Sequence, residues 1–193
     1  MKIFLIRHGE GYHNLKNIDN SNYNILYPML TDKGILQSKI LKKYFNNIKV
    51  DSIVVSPLER TLQTYYYIFD NKMDIPVISL DLIREIIENN CDYRENINLK
   101  KKKYPNINFD SIESFEDQFF IEKRKESHKE LSKRINLFYL WLLNYKNKNK
   151  NHNLVVITHG AFLREFLNIY KDKLLISDIS WFNNCEVREC ILK

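Results

Sequence analysis

Apolar residues along the chain fall into short runs that alternate with segments of helical spacing. Short β-rich runs predict strands over residues 2–6, 51–56, 76–80 and 154–157, and alternating residues over 185–192 predict a last strand. Helical spacing predicts four helices. One begins after Thr31, one runs from Ser56 to about Phe69, and two cover residues 131–142 and 160–170. This alternation indicates the α/β class, as a three-layer sandwich with a mostly parallel central sheet flanked by helices.

Two of these helices have recognisable starts. Thr31 is a candidate N-cap, and Ser56 followed by Pro57 matches an N-cap with proline at the first helical position. After Thr31, helical spacing predicts a buried face formed by Ile35, Leu36, Ile40, Leu41, Tyr44 and Phe45. Gly34 is a weak position in this pattern, since glycine disfavours a helix interior.

Two segments lack a regular pattern. Residues 10–30 are polar and predict a loop. Residues 83–127 are dense in charge and have no clean period, and a connection of this length is typically functional. We therefore expect one domain, 1–193, with an inserted lid or substrate-specificity segment around 83–127. The lysine run 100–103 either solvates this insert, which we favour, or guides anionic substrates.

Composition narrows the partners and the compartment. The net charge of +6 favours acidic partners in general, but the Lys- and Asn-rich loops are typical of an AT-rich genome and a solvated surface. We therefore expect no nucleic-acid partner, and no apolar stretch is long enough to indicate a membrane partner. Three cysteines without paired spacing argue against disulfides and zinc and favour a reducing, cytoplasmic location. No pattern indicates the oligomeric state.

Unusual polar residues follow the predicted strands. Arg7 and His8 come after the first, Arg60 lies in the first helical turn after the second, Glu85 follows the third, and His159 follows the fourth. Ligands of open α/β sheets bind at the carboxyl ends of the strands. We therefore expect these five side chains to converge on one site.

Each of these residue types suits phosphoryl transfer. Arginine binds phosphate oxygens bidentately and stays charged, and the helix N-termini after Ser56 and His159 add N–H donors. Nearby cations would keep His8 neutral and able to attack phosphorus. Glu85 is the candidate acid for the leaving alkoxide, and Glu88 and Asp92 are its rivals. Because the arginines and histidines supply positive charge, the mechanism requires no metal.

Four ordered segments resemble those of the histidine phosphatase superfamily, which has the phosphoglycerate mutase-like fold. They are Arg7-His8-Gly9-Glu10 with Asn14 downstream, the segment 56–64 around Arg60, Arg84-Glu85, and Thr158-His159-Gly160. The resemblance implies that His8 takes up phosphate, that Glu85 and His159 are catalytic, and that phosphate is bound by Arg7, Asn14, Arg60 and Gly160. His13 is interpreted as a loop residue rather than a zinc ligand, and Cys91 as structural.

Three functions remain open. The sequence is closer to the phosphatase-like members than to the glycolytic mutases, because Gly11 follows Glu10 and because isoleucines follow Glu85. We therefore expect a phosphatase that acts on a small phosphorylated metabolite through phosphohistidine and needs no cofactor. The alternatives are a phosphoglycerate mutase, which would need 2,3-bisphosphoglycerate, and a non-catalytic module that binds phospho-ligands.

Overall fold

A mixed sheet forms the centre of the protein. The computed structural model describes residues 1–15, 21–69 and 74–193. Its strands are, in chain order, β1 (Lys2–Arg7), β2 (Ser52–Val55), β3 (Val77–Ser79), β4 (Asn153–Thr158), β5 (Leu174–Leu175) and β6 (Val187–Leu192). Their order across the sheet is β3-β2-β4-β1-β6-β5, with the first four parallel and β6 antiparallel to its neighbours β1 and β5.

Helices connect the strands and cover both faces of the sheet. They are α1 (Asp32–Phe45), α2 (Glu59–Phe69), α3 (Ile97–Lys103), α4 (Gln118–Ile121), α5 (His128–Lys148) and α6 (Gly160–Tyr170). Short 3₁₀ turns occur at Tyr12–Asn14, Ser21–Asn24, Asp81–Ile83, Asn90–Asp92 and Lys171–Lys173. Among the described residues, no helix is both long and apolar enough to cross a membrane.

Two apolar cores lie on opposite faces of the sheet. Along β1, Ile3 and Leu5 join one core with residues of α5 and α6, whereas Phe4 and Ile6 join the other with residues of α1 and α2. Successive strand residues point to opposite faces, so a strand buried on both sides is apolar throughout. The predicted three-layer arrangement is confirmed.

The parallel register fixes where the site can form. Arg7 at the end of β1 is paired with Thr158 at the end of β4, and Val55 at the end of β2 is paired with Ile157. The carboxyl ends of β1, β2 and β4 therefore reach the same edge of the sheet. The segments that follow these strands carry the polar residues singled out above.

The first turn of α2 differs from the prediction. The helix begins at Glu59 rather than at Pro57, and Ser56 does not act as its N-cap. Instead the Ser56 hydroxyl lies 2.8 Å from Nε2 of His159. Arg60 still falls in the first turn, as predicted.

The buried face of α1 also differs from the prediction. Leu36 and Ile40 are each 58% exposed, and the face that packs inward includes Gly34 and Ser38. A Cβ added at Gly34 would lie 2.0 Å from the carbonyl oxygen of Glu10. Small residues therefore allow α1 to contact the segment after β1, and this close approach decides which face is buried.

The insert 83–127 contains two helices that sequence spacing did not reveal, α3 and α4. Within its lysine run, Lys100 differs from both interpretations, because it is fully buried and forms ion pairs with Glu59 and Glu95. Residues 101–103 are exposed, in line with the interpretation of a solvated run. Lys103 also contacts Glu59, at 2.5 Å. The predicted loop 10–30 contains two 3₁₀ turns, and its residues 16–20 lie outside the described chain.

Candidate active site

A cavity of about 390 Å³ opens at the carboxyl edge of the sheet. The segments after β1, β2 and β3 and the start of α6 all contribute to its wall. The lining residues are Arg7, His8, His13, Asn14, Tyr23, Arg60, Glu85, Ile86, Glu88, Asn89, Cys91, Asp92, Ala161 and Trp181. Five of the seven residues proposed for the site line this cavity, and His159 and Gly160 lie directly behind it.

His8 follows β1 and is 1% exposed. Its Nδ1 lies 2.7 Å from the carbonyl oxygen of Gly9, so Nδ1 carries the proton and Nε2 is the nitrogen with a free lone pair. Burial lowers the pKa of His8 well below its ordinary value, and the charges of Arg60 and Arg7 lower it further. His8 is therefore neutral at pH 7 and has the tautomer of a nucleophile.

The backbone beside His8 is fixed by close packing. The amide of Gly9 donates to the Thr64 hydroxyl at 3.0 Å, and Asn184 donates from its amide to the carbonyl oxygen of His8 at 3.0 Å. A Cβ added at Gly9 would lie 2.6 Å from the carbonyl oxygen of Gly34. The Arg-His-Gly segment thus requires glycine at its third position for steric reasons.

His159 stands at the N-cap position of α6, with its ring centre 5.1 Å from that of His8. Ser56 contacts Nε2, while Nδ1 is buried and has no partner among the described residues. Burial lowers the pKa of His159 well below its ordinary value, with a further contribution from Arg60. This ring can donate to a bound oxygen without bringing a charge of its own.

Arg60 is held at the cavity by the segment around the 3₁₀ turn Asn90–Asp92. It donates from Nη1 to the carbonyl oxygen of Cys91 at 2.6 Å and from Nη2 to Asp92 Oδ1 at 3.3 Å. The other Asp92 oxygen accepts the amides of Asn89 and Glu88. Both oxygens of Asp92 therefore accept hydrogen bonds and hold Arg60 in place, which makes Asp92 a poor candidate for the proton donor.

Cys91 contributes its backbone rather than its thiol. Burial raises the pKa of this thiol to about 12, and the charge of Asp92 acts in the same direction. The thiol is therefore protonated at neutral pH and is not a nucleophile.

Arg7 enters the cavity from β1. It donates from Nη1 to the carbonyl oxygen of Phe182 at 2.8 Å, and its guanidinium lies 5.3 Å from the ring centre of Trp181. A Cβ added at Gly160 would lie 2.9 Å from Trp181 and 3.1 Å from Nε of Arg7. Gly160 thus makes room for Arg7 and Trp181, which is a steric role distinct from the phosphate contact expected of it.

Glu85 receives three backbone amides. Oε1 accepts from Phe162 at 2.9 Å and from Ile86 at 3.0 Å, and Oε2 accepts from Ala161 at 3.2 Å. Burial raises the pKa of this carboxyl, and the charge of Asp92 raises it further, against the opposing effects of Arg60 and the amides. The rival Glu88 lines the cavity too, but its side chain is exposed.

The turn Tyr12–Asn14 completes the wall. Asn14 accepts the amide of Gly11 at 3.1 Å through Oδ1, and its Nδ2 lies 3.1 Å from Nε2 of His13. His13, interpreted from the sequence as a loop residue, is only 6% exposed, and its ring centre is 5.4 Å from that of His8. The sequence signal for it was its position between the Arg-His-Gly segment and Asn14.

The described residues contain no group of three or more metal-ligating side chains placed to hold a metal ion. Positive charge at the cavity comes from the guanidinium groups of Arg7 and Arg60. Four buried nitrogens of these arginines and of the neighbouring histidines have no hydrogen-bond partner among the described residues: Arg7 Nε, His13 Nδ1, Arg60 Nε and His159 Nδ1. The guanidinium groups are permanent donors, and an oxyanion is the kind of ligand that such buried donors bind.

Known proteins share this sequence pattern and fold. The histidine phosphatase superfamily (branch 1) matches residues 3–190. Phosphoglycerate mutase-like protein 1 of Arabidopsis thaliana is 27% identical over 98% of this chain and 80% of its own length. The ecdysone phosphate phosphatase of Bombix mori, solved with tungstate, has a TM-score of 0.67 at 14% identity, covering 97% of this chain and 88% of its own.

A second solved structure has a similar fold. Phosphoserine phosphatase of Entamoeba histolytica, in complex with 3-phosphoglyceric acid, has a TM-score of 0.58 at 23% identity. The match covers 97% of this chain and 89% of that one.

Proposed function

Since the chain belongs to the histidine phosphatase superfamily and is an enzyme of the phosphatase type, we propose that it hydrolyses small phosphomonoesters through phosphohistidine at His8. The observation that carries the proposal is the state of His8. Its ring is buried, neutral and protonated at Nδ1, and it lines a cavity with Arg7 and Arg60. A neutral imidazole among cationic donors is suited to attack a phosphate ester.

The first step transfers the phosphoryl group to the enzyme. The lone pair of His8 Nε2 forms the P–N bond while the P–O bond to the alcohol breaks, and Glu85 gives its proton to the departing oxygen. The Gly9 carbonyl, which accepts from Nδ1, stabilises the positive charge that develops on the ring. Arg7, Arg60 and His159 bind the oxygens of the transferred group.

The second step regenerates the enzyme. Glu85, now ionised, takes a proton from a water molecule that attacks phosphorus, and the P–N bond breaks. Inorganic phosphate leaves, and His8 returns to its neutral tautomer. No metal, bisphosphoglycerate or other cofactor enters this cycle.

The cavity lining supports a phosphatase over a phosphoglycerate mutase. A mutase must bind the carboxylate of phosphoglycerate in addition to its phosphate. Among the described lining residues the only arginines or lysines are Arg7 and Arg60, and the other charged groups are carboxylates, including the exposed Glu88. A second anion would therefore meet no dedicated cation there. A non-catalytic binding module would need neither His8 nor Glu85 at these positions.

Trapping of the phosphoenzyme tests the mechanism. A ³²P-labelled phosphomonoester, quenched rapidly with base, should leave an acid-labile, base-stable adduct on the wild-type protein. His8→Ala should form no adduct and should lose more than about 10³-fold in turnover. His152→Ala is the matched control, because His152 directly precedes β4, at the end of the strands opposite the cavity. An adduct that persists in His8→Ala would refute the mechanism.

A second assay separates phosphatase from mutase. Release of phosphate from 3-phosphoglycerate and its conversion to 2-phosphoglycerate are measured side by side, with 2,3-bisphosphoglycerate added. The proposal expects release without dependence on the bisphosphate. Conversion that is much faster than release would establish the mutase instead.

A further inference from the structure

His13 is a buried histidine at the cavity, and the proposed mechanism assigns it no role. It lies in the turn Tyr12–Asn14, is 6% exposed, and lines the same cavity as His8. The two rings are 5.4 Å apart, centre to centre. A polar ring buried this deeply needs partners for both of its nitrogens.

The protonation of this ring follows from its neighbour. Asn14 accepts the Gly11 amide and an Asn184 amide proton through Oδ1, which fixes its other side-chain atom as the donor Nδ2. That Nδ2 lies 3.1 Å from Nε2 of His13, so Nε2 is an acceptor and the proton is on Nδ1. Burial lowers the pKa of His13 to about 2, helped by the charges of Arg60 and Arg7, so the ring carries no second proton.

The Nδ1 proton has no acceptor among the described residues. Burying an N–H donor without a partner is unfavourable, so such a group is typically satisfied by a ligand or an ordered water. Arg7 and Arg60, which line the same cavity, and His159, whose ring centre is 5.1 Å from that of His8, each also have an unpartnered buried nitrogen. The three come from β1, α2 and the start of α6, and His13 brings a fourth from a separate turn.

The ring is also held in place sterically. A Cβ added at Gly11 would lie 2.8 Å from both Nδ1 and Cε1 of His13. Any residue larger than glycine at position 11 would therefore displace the imidazole. Gly11, His13 and Asn14 form one unit, in which glycine makes room, asparagine selects the tautomer and histidine presents a neutral donor.

We propose that His13 binds the phosphoryl group, donating a hydrogen bond from Nδ1 to one of its oxygens. This inference rests on the proposed function and assigns a fourth element to phosphate recognition. A neutral donor suits this position, because Arg7 and Arg60 already supply the positive charge and a third cation would be opposed by both. Asn14 then acts through His13 as a positioning residue.

Matched variants test this assignment. His13→Phe keeps a planar ring and removes the donor, whereas His13→Asn places an amide N–H near the position of Nδ1. Inorganic phosphate, as competitive inhibitor of phosphomonoester hydrolysis and as ligand in calorimetry, is the probe. We expect phosphate affinity to fall about 10- to 100-fold in His13→Phe, the usual cost of losing a hydrogen bond to a charged acceptor, and to recover most of that loss in His13→Asn. His152→Phe should bind as the wild type does.

A second measurement does not depend on any variant folding well. In wild-type protein labelled with ¹⁵N at histidine, saturating phosphate should shift the His13 Nδ1 proton downfield and protect it from exchange. Unchanged phosphate affinity in His13→Phe, or a His13 signal that does not respond to phosphate, would overturn the proposal. If the wild-type protein forms phosphohistidine while either of these occurs, the proposed function stands and only the role of His13 is refuted.

Discussion

Glu85 is subject to opposing influences on its protonation state. Three backbone amides donate to it, which favours the ionised form, while burial and the charge of Asp92 raise its pKa. A general acid near neutral pH needs a pKa raised toward that range. Bound phosphate would bring more negative charge and exclude water, and both effects raise the pKa further. The empty site and the substrate complex therefore differ in how readily Glu85 holds a proton.

Glu85→Gln tests this role through the leaving group. We expect kcat/KM for an alkyl phosphate to fall about 10²- to 10⁴-fold, because the alkoxide then departs without a proton. With p-nitrophenyl phosphate the loss should be much smaller, since that leaving group needs little protonation. The check is steady-state kinetics with both substrates, with Glu88→Gln as the control that leaves both nearly unchanged. An equal loss on both substrates would assign Glu85 to structure alone.

The residues predictable from sequence are those that the strands deliver. Arg7 ends β1, and His8 and His159 directly follow β1 and β4, so their convergence follows from the parallel register of these strands. Asp92 and Trp181 reach the cavity on irregular segments. Hydrophobic periodicity does not predict the path of such segments, so the sequence does not place these two residues. The tautomer of His13 is set by its hydrogen bond with Asn14, and only the folded turn shows this contact.

At the scale of elements, α2 and α3 are joined by a buried ion cluster. Glu59, 4% exposed, contacts the ammonium groups of Lys100 and Lys103 and accepts the Tyr104 hydroxyl at 2.7 Å. Lys100 also forms an ion pair with Glu95 at 2.8 Å. Because Glu59 directly precedes Arg60, this cluster attaches the insert to the helix turn that carries a phosphate-binding arginine.

Removing one partner of this cluster should be costly. We expect Glu59→Gln to lower the free energy of unfolding by about 3–5 kcal/mol, because Lys100 is left as a buried charge with reduced compensation. Glu189→Gln, which breaks the half-exposed pair with Lys2, should cost less than about 1 kcal/mol. Urea unfolding of the three proteins measures both changes. Similar small losses for the two variants would show that the cluster contributes little.

The helices show where sequence patterns lose information. The helices α5 and α6 were predicted because they carry apolar residues at regular helical spacing toward a large core. In contrast, α3 has the sequence INLKKKK, which shows no apolar face of regular spacing. Hydrophobicity does not predict that Lys100 is buried, because lysine is seldom buried unless it is paired. Its partner Glu59 lies forty-one residues away, so the local pattern shows only half of the interaction.

At the scale of the whole molecule, the cavity concentrates three buried histidines around two arginines. His8, His13 and His159 all have a pKa below its ordinary value, because burial and the nearby guanidinium groups disfavour a second positive charge. In the unfolded chain each would titrate near its ordinary pKa of about 6.5. Below that pH the unfolded state therefore binds more protons than the folded state, and acid favours unfolding.

The folded protein should consequently lose stability as the pH falls through about 6.5. Each histidine contributes about 1.4 kcal/mol of loss between pH 7.5 and 5.5, so three give about 4 kcal/mol. Urea unfolding in phosphate-free buffer at both pH values measures this difference. His13→Phe should reduce the loss by about one third, whereas the exposed His128→Phe should leave it unchanged. A stability that stays flat over this range would mean that the folded cavity accepts protons, and His8 would then be charged and unable to act as a nucleophile in weak acid.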